Sequence, residues 1–233
     1  MKIGIIGAME LEVAALKQEL TQASCCEVAG MKFFDGMLEQ ASVVVVQCGV
    51  GKVNAAICVQ ILHDLFEVTH VINTGVAGGL NDKLDIGDIL ISNAALQHDM
   101  NVEPLGYAPG QVPGLDTLSF PADEKMKQDA IASCERVNQD IHVMEGLVVS
   151  GDQFIAEQSV RKHLIDTFHG DCAEMEGAAI AQAAYLNNLS FVIIRAISDK
   201  ADHSAQMDYP TFEKQAAHHC AKLVAEFVKT YQE

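Results

Sequence analysis

Cations are scarce in this 233-residue sequence: 15 lysines and arginines stand against 32 aspartates and glutamates, a formal charge of −17. So acidic a chain repels phosphate backbones, which argues against nucleic-acid and anionic-membrane partners. Arginine is rarer still, confined to Arg136, Arg161 and Arg195. The seven cysteines (Cys25, Cys26, Cys48, Cys58, Cys134, Cys172, Cys220) form no CxxC pair. That spacing excludes the common zinc frameworks and favours free thiols in a reducing compartment. Cys48 and Cys58 lie in apolar stretches and are expected in the core. No run approaches the roughly 18 apolar residues that a membrane span needs. The N-terminal MKIGIIGAME turns acidic too soon for an export signal and reads as a first strand. The expected location is therefore the cytoplasm. Repeats, linkers and low-complexity segments are also absent.

What remains is an alternation of short apolar runs and amphipathic stretches. Residues 3–6 read as a buried strand, and 10–20 as a helix with Val13, Leu16 and Leu20 on one stripe. Strands are expected near 26–28, 32–38 and 42–47, with Asp35-Gly36 as a candidate turn. A helix is expected over Lys52–Phe66. Residues 71–73 read as a buried strand ended by the glycine-rich 74–80, and 88–92 as another strand. Helices follow near 123–137, 157–168, 176–187 and 209–231, with strands near 142–150 and 191–197. Residues 98–121 hold four of the five prolines and read as a long loop. Such loops are usually functional or disordered, and Val102, Leu105, Tyr107 and Val112 argue for order. One α/β domain, residues 1–233, with a mixed and largely buried sheet is the economical architecture.

In open α/β folds ligands sit beyond the carboxyl ends of strands. Glu10 and Glu12 follow the first run, and Thr74-Gly75-Val76-Ala77-Gly78-Gly79 follows the run at 71–73. Ser150-Gly151-Asp152-Gln153-Phe154 and Ser198-Asp199 follow two others. Acids and glycines recurring at strand exits suggest a small-molecule site with acid–base chemistry. Each feature also has an ordinary explanation. Glu10 and Glu12 suit a helix dipole, and so does the pair in Ala173-Glu174-Met175-Glu176-Gly177. The glycines at 75, 78 and 79 suit either a tight turn or close approach of backbone to a ligand. Gly49-Val50-Gly51-Lys52 lacks the spacing of a phosphate loop and of a dinucleotide fingerprint. His218 and His219 are adjacent on a helix and face different sides, so they are poor joint metal ligands. Arg195, inside an apolar strand, needs a partner if buried.

Seven blocks, in order, carry a resemblance: IGIIGAMELEV, GVGKVNAA, INTGVAGGL, HDMNVEPLGYAPGQVPG, VSGDQFI, AEMEGAAIA and RAISDKAD. With them the chain closely resembles the 5'-methylthioadenosine/S-adenosylhomocysteine nucleosidases of the nucleoside phosphorylase-like superfamily. The resemblance implies a three-layer α/β fold around a mixed, partly barrel-like sheet, and a homodimer without cofactor or metal. It implies hydrolysis of the N-glycosidic bond of methylthioadenosine, adenosylhomocysteine and 5'-deoxyadenosine, releasing adenine, within methionine salvage and methyl-cycle product removal. Carried over by motif, Glu12 activates the attacking water and Asp199 protonates purine N7. Glu176 holds the ribose hydroxyls, Met175 packs the sugar and Ser198 orients Asp199. Phe154 stacks on the purine and the Ile155 backbone reads its edge. Arg195, Val76, Ala77 and Gly78 complete the substrate contacts, and Met9, Val50 and Tyr209 line the 5' pocket. Val102, Leu105, Tyr107 and Pro113 lie on the loop that the family's partner subunit lends.

The chemistry fits these residue types. Breaking the bond builds oxocarbenium character in the sugar, as in glycoside hydrolysis generally. A purine leaves poorly until protonated, so Asp199 must hold a proton well above its ordinary pKa of about 3.9. Glu12 should stay ionised to take a proton from water. Three positions depart from the family pattern: Val76 replaces a frequent serine, Leu105 a common aromatic, and Gly177 a frequent alanine. A phosphorylase of the same fold would need a cationic phosphate pocket, which three arginines supply poorly and Glu12 would oppose. A nucleosidase for a different modified nucleoside, such as futalosine, is a rival within the fold. A non-catalytic nucleoside binder is a rival of another class, but a binder has no need of a water-activating base.

Overall fold

The computed structural model describes residues 1–231. Its core is a mixed sheet built from ten strands, assigned in chain order as β1 (Ile3–Gly7), β2 (Thr21–Val28), β3 (Met31–Leu38), β4 (Ala41–Gln47), β5 (His70–Gly79), β6 (Ile89–Gln97), β7 (Phe120–Pro121), β8 (Val143–Ser150), β9 (Cys172–Glu174) and β10 (Ser190–Asp199). The helices are α1 (Glu10–Glu19), α2 (Lys52–Phe66), α3 (Glu124–Val137), α4 (Gln158–Phe168), α5 (Gly177–Leu186) and α6 (Ala205–Thr230). The sheet runs β10-β6-β8-β9-β5-β1-β4-β3-β2, and β10 also pairs with β5. That second pairing closes five strands into a barrel, from which β1, β4, β3 and β2 extend as an open sheet. The expected partly barrel-like α/β architecture is the one observed.

Alternation explains why both faces are covered. Along β4, Val44 and Val46 pack with Cys58, Val59 and Leu62 of α2, while Val43 and Val45 pack with Val13 and Leu16 of α1 and with α6. Along β10, Phe191, Ile193 and Ile197 face the α2–α5 side, and Val192, Ile194 and Ala196 the α3–α6 side. Strands buried on both faces read as apolar runs, which is what the sequence shows at β1 and β4, at the start of β5 and in β10 up to Arg195. Leu164 and Phe168 of α4 close a third, smaller cluster with Leu80, Leu96 and Val149. Cys48 and Cys58 are buried as expected, whereas Cys25 and Cys26 are exposed on the edge strand β2; all seven thiols are free.

Two expectations are corrected. Asp35-Gly36 is no turn but the middle of β3, paired with Val44 and Val43. The turns fall at Ala29-Gly30 and Glu39-Gln40, with Ala29, Gly30 and Glu39 at positive φ. Gly36 marks a close approach instead: a Cβ there would lie 2.9 Å from the Thr21 carbonyl oxygen, where β2 slips register. Likewise 74–79 is no loop but the second half of β5. Among the described residues no helix is long and apolar enough to cross a membrane.

Candidate active site

The exits of β1, β5, β8, β9 and β10 converge on one cavity. Its floor comes from β5 and β10, which run parallel with Arg195 opposite Gly75 and Ala196 opposite Val76. After Ile197 the register slips by one residue, leaving Ser198 unpaired and setting Asp199 opposite Gly78. A bulge of this kind re-aims the next side chain, here turning Asp199 into the cavity. Gly78 has to be a glycine, because a Cβ would lie 2.9 Å from Asp199 Oδ1 and from Ala201 Cβ. Gly75 and Gly78 of β5 thus make room for the protein's own carboxylates, Glu12 and Asp199.

Glu12 serves two tasks at once. Its Oε2 accepts the N–H groups of Ala8 and Met9 at 2.7 and 2.9 Å, capping α1. Its Oε1 accepts from the Val76 N–H at 3.1 Å across the cavity floor. At position 75 any side chain would run into Glu12 Oε1 and Arg195 Nη1. Burial pushes the Glu12 carboxyl above its ordinary range, opposed by the Arg195 charge and by the three N–H donors. A carboxylate so placed is a stronger base than one in water.

Asp199 is 2 % exposed. Its Oδ2 accepts the Ser198 hydroxyl at 2.9 Å and its Oδ1 the Ala201 N–H at 2.8 Å. Burial raises its pKa, these two donors oppose the shift, and Asp208 and Asp202 add to it. The direction is the one a proton donor needs.

Beside Glu12 lies a buried charge network. Arg195 Nη2 donates to Glu174 Oε2 and, at 2.6 Å, to Asn73 Oδ1. Glu176 Oε2 lies 4.0 Å from the same nitrogen. Glu174 also accepts the Ser150 hydroxyl and the N–H groups of Glu176 and Gly177, fixing the start of α5. Although burial alone would raise Glu174, the adjacent guanidinium and these donors hold it below the ordinary carboxylate range. One cation cannot neutralise three acids. Glu176 is accordingly pushed up to about 7, first by burial and then by the Glu174 charge, against Arg195 and the Gly51 N–H that its Oε1 accepts at 2.8 Å.

Of the residues expected at the site, Glu12, Met175, Glu176, Ser198 and Asp199 line this cavity, with Val76, Ala77 and Gly78 along its floor. Met9, Val50, Tyr209, Phe154 and Ile155 line it as well, and the half-exposed Val50 and Phe154 mark its open end. Tyr209 Oη donates to Met9 Sδ at 3.2 Å, and its ring meets Phe154 edge-on at 5.8 Å. Arg195 does not line the cavity: it is 1 % exposed and stands behind the carboxylates as their counter-charge. Val102, Leu105, Tyr107 and Pro113 are not brought to this chain's own cavity, and Leu105 is 75 % exposed. Sequence reasoning read Glu174 only as a charge suited to a helix dipole, although the need of Arg195 for a partner was a usable signal. It also passed over Ala8, Gln153, Ala173 and Ala201, which line the cavity mainly by position. At Val76 the backbone N–H supplies a bond that does not depend on the side chain. Among the described residues no group of three or more His, Cys, Asp or Glu could hold a metal ion.

The chain matches the phosphorylase superfamily model over residues 2–229. It is 40 % identical, over the full length of both chains, to a 5'-methylthioadenosine/S-adenosylhomocysteine nucleosidase of an Exiguobacterium species. The chain belongs to that nucleosidase family. Solved structures agree. The Colwellia psychrerythraea nucleosidase, in complex with adenine, superposes with a TM-score of 0.94 at 39 % identity, covering 98 % of this chain and 94 % of that one. The Neisseria meningitidis nucleosidase, in complex with methylthio-immucillin-A, superposes with a TM-score of 0.95 at 37 % identity, covering 99 % of both.

Proposed function

We propose that the chain hydrolyses the N-glycosidic bond of 5'-methylthioadenosine and S-adenosylhomocysteine, and of 5'-deoxyadenosine, releasing adenine and the 5-substituted ribose. The observation that carries this reading is the pair Glu12 and Asp199, which line one cavity and are both raised by burial. Asp199 gives its proton to purine N7 while the bond from N9 to the anomeric carbon breaks. Water attacks that carbon, and Glu12 takes the water's proton. Each such positioned group contributes roughly 10²–10⁴-fold. Glu176 accepts the ribose hydroxyls, Met175 packs the sugar, Phe154 stacks on the purine and the Ile155 backbone reads its edge.

Hydrolysis fits better than phosphorolysis. The N-terminus of α2, where an anion would bind, is already occupied: the Gly51 N–H donates to Glu176 and the Lys52 N–H to Asp152 at 2.9 Å. Lys52 is paired with Asp99, and Arg195 with Glu174.

We read residues 1–233 as one domain, since β10 closes the barrel on β5. Its working form is a cytoplasmic homodimer. Val53 is 70 % and Leu186 57 % exposed where α2 and α5 share a surface groove, and Leu105 is exposed as well. A second copy covering this face would bring its 102–113 loop to the open end of the cavity. The test is adenine release from methylthioadenosine, adenosylhomocysteine and 5'-deoxyadenosine, and hydrolysis of futalosine, each with and without phosphate. Turnover of the first three without phosphate is expected. Strict phosphate dependence, or a preference for futalosine, would overturn the assignment.

A further inference from the structure

Gly49-Val50-Gly51-Lys52 resembles a phosphate loop only superficially, yet its lysine is not idle. Three segments meet beside the cavity: the start of α2, the root of the 98–121 loop, and the 151–155 segment that bears Phe154 and Ile155. A closed ring of bonds joins them. Lys52 Nζ donates to Asp99 Oδ1 at 2.5 Å and to Gln97 Oε1 at 3.0 Å. Asp99 Oδ2 accepts the Asp152 N–H at 3.1 Å, and Asp152 Oδ1 accepts the Lys52 N–H at 2.9 Å. Next to Lys52, the Gly51 N–H holds Glu176. The packing leaves no slack: a Cβ on Gly51 would lie 3.1 Å from Asp152 Oδ1, and one on Gly151 2.5 Å from the His98 ring. The Lys52 and Asp99 side chains are 19 % and 18 % exposed, so solvent screens the pair only in part.

We infer that Lys52 and Asp99 are positioning residues for the purine end of the cavity, holding the Phe154–Ile155 segment in register with Glu176 before substrate arrives. The inference rests on the reading that this segment receives the purine. Residues 151–157 lie outside any helix or strand, so the segment depends on such ties for its order. Without them it would occupy its binding-competent placement for a fraction of the time, and apparent affinity falls by that fraction. Once substrate is bound, the placement is restored and the chemical step proceeds as before.

Lys52→Met, Lys52→Arg, Asp99→Asn and Phe154→Ala would be compared by kcat and KM for methylthioadenosine and by calorimetric binding of adenine. Lys52→Met and Asp99→Asn are each expected to raise KM about 10-fold and weaken adenine alike, with kcat within about threefold. Lys52→Arg, which still donates, should recover most of the loss. The double variant should be little worse than either single one, because both break the same link. Loss of kcat at unchanged KM, or a Lys52→Arg no better than Lys52→Met with both melting lower, would reduce the ring to fold support and overturn the inference. Raised KM in Phe154→Ala with none in Lys52→Met would overturn the positioning role alone. Unchanged KM in Phe154→Ala would remove the purine reading and the inference with it.

Discussion

The two ends of the cavity are built on opposite principles. At the inner end, Glu12, Glu174, Glu176, Arg195 and Asp199 are all under 9 % exposed, and each is held by backbone N–H groups or by another buried side chain. At the open end, Val50 and Phe154 are about half exposed, with contacts that are apolar or edge-on. The inner end needs charges fixed in a low-dielectric place, where preorganised groups act most strongly. It therefore grows from strand exits, the stiffest part of the fold. On the proposed reading the open end offers the Phe154 face to the purine and apolar area to a variable substituent, which contacts of this kind can supply.

The sharpest way to break this comparison is Asp199→Asn, which keeps the shape and removes the proton. A fall in kcat of about 10³-fold is expected with adenine still bound, measured by steady-state assay and calorimetry. Gly75→Ala attacks the same end by crowding Glu12 and Arg195 at once. A displacement of catalytic groups on that scale should cost about 10²-fold in kcat/KM.

Glu174→Gln probes the charge network. It strips the buried Arg195 of its direct counter-charge, and denaturant melts should show a loss of about 2–4 kcal/mol, since Glu12 and Glu176 remain as partial compensation. The same variant should lower the Glu176 pKa from its value of about 7, because the Glu174 charge helps raise it. On the proposed role, Glu176 accepts the ribose hydroxyls in its ionised form, so activity through it should rise with pH. In the variant that acidic limb of kcat/KM should move to lower pH. The sign for stability is opposite. Glu176 binds its proton more tightly folded than unfolded, so its contribution is full below its ordinary value near 4.5 and is lost as pH climbs to about 7. Melting temperatures of Glu176→Gln should show a flatter dependence across that window.

The smallest effect belongs to the open end. Leu105→Glu should leave adenine binding intact and raise KM for methylthioadenosine about 5–10-fold, with a monomer seen by light scattering.

The sequence showed the inner end better than the fold around it. The helix at about Lys52–Phe66 was legible, with Gly51 at φ +99 before it and Glu67 in the left-handed region after it. The second half of β5 was not, because three glycines read locally as a turn. Only the tertiary neighbours explain why a strand should be so poor in side chains: Glu12 and Arg195 beside Gly75, Asp199 and Ala201 beside Gly78, and Ile197 beside Gly79. β2 extends over Thr21–Val28 with almost every residue exposed, leaving no alternation to find. The three-residue β9 is too short for any pattern. The start of α6 at Ala205, ahead of the expected 209, was hidden by Pro210 within its opening turns. At the site itself Glu12 and Asp199 stood out as acids after apolar runs, and Glu174 with Glu176 as a pair at a helix start. The task of Glu174, to hold Arg195 and the start of α5, is visible only once β9 and β10 flank β5 in the sheet.

The most direct test sets Asp199→Asn and Leu105→Glu side by side, with kcat and KM for methylthioadenosine measured in phosphate-free buffer. The account predicts that the first loses kcat by about 10³-fold and keeps its adenine affinity, while the second keeps kcat and shows a raised KM. If both variants lost the same parameter in the same proportion, or Asp199→Asn turned over at a near-normal rate, the separation of chemistry from recognition would be contradicted.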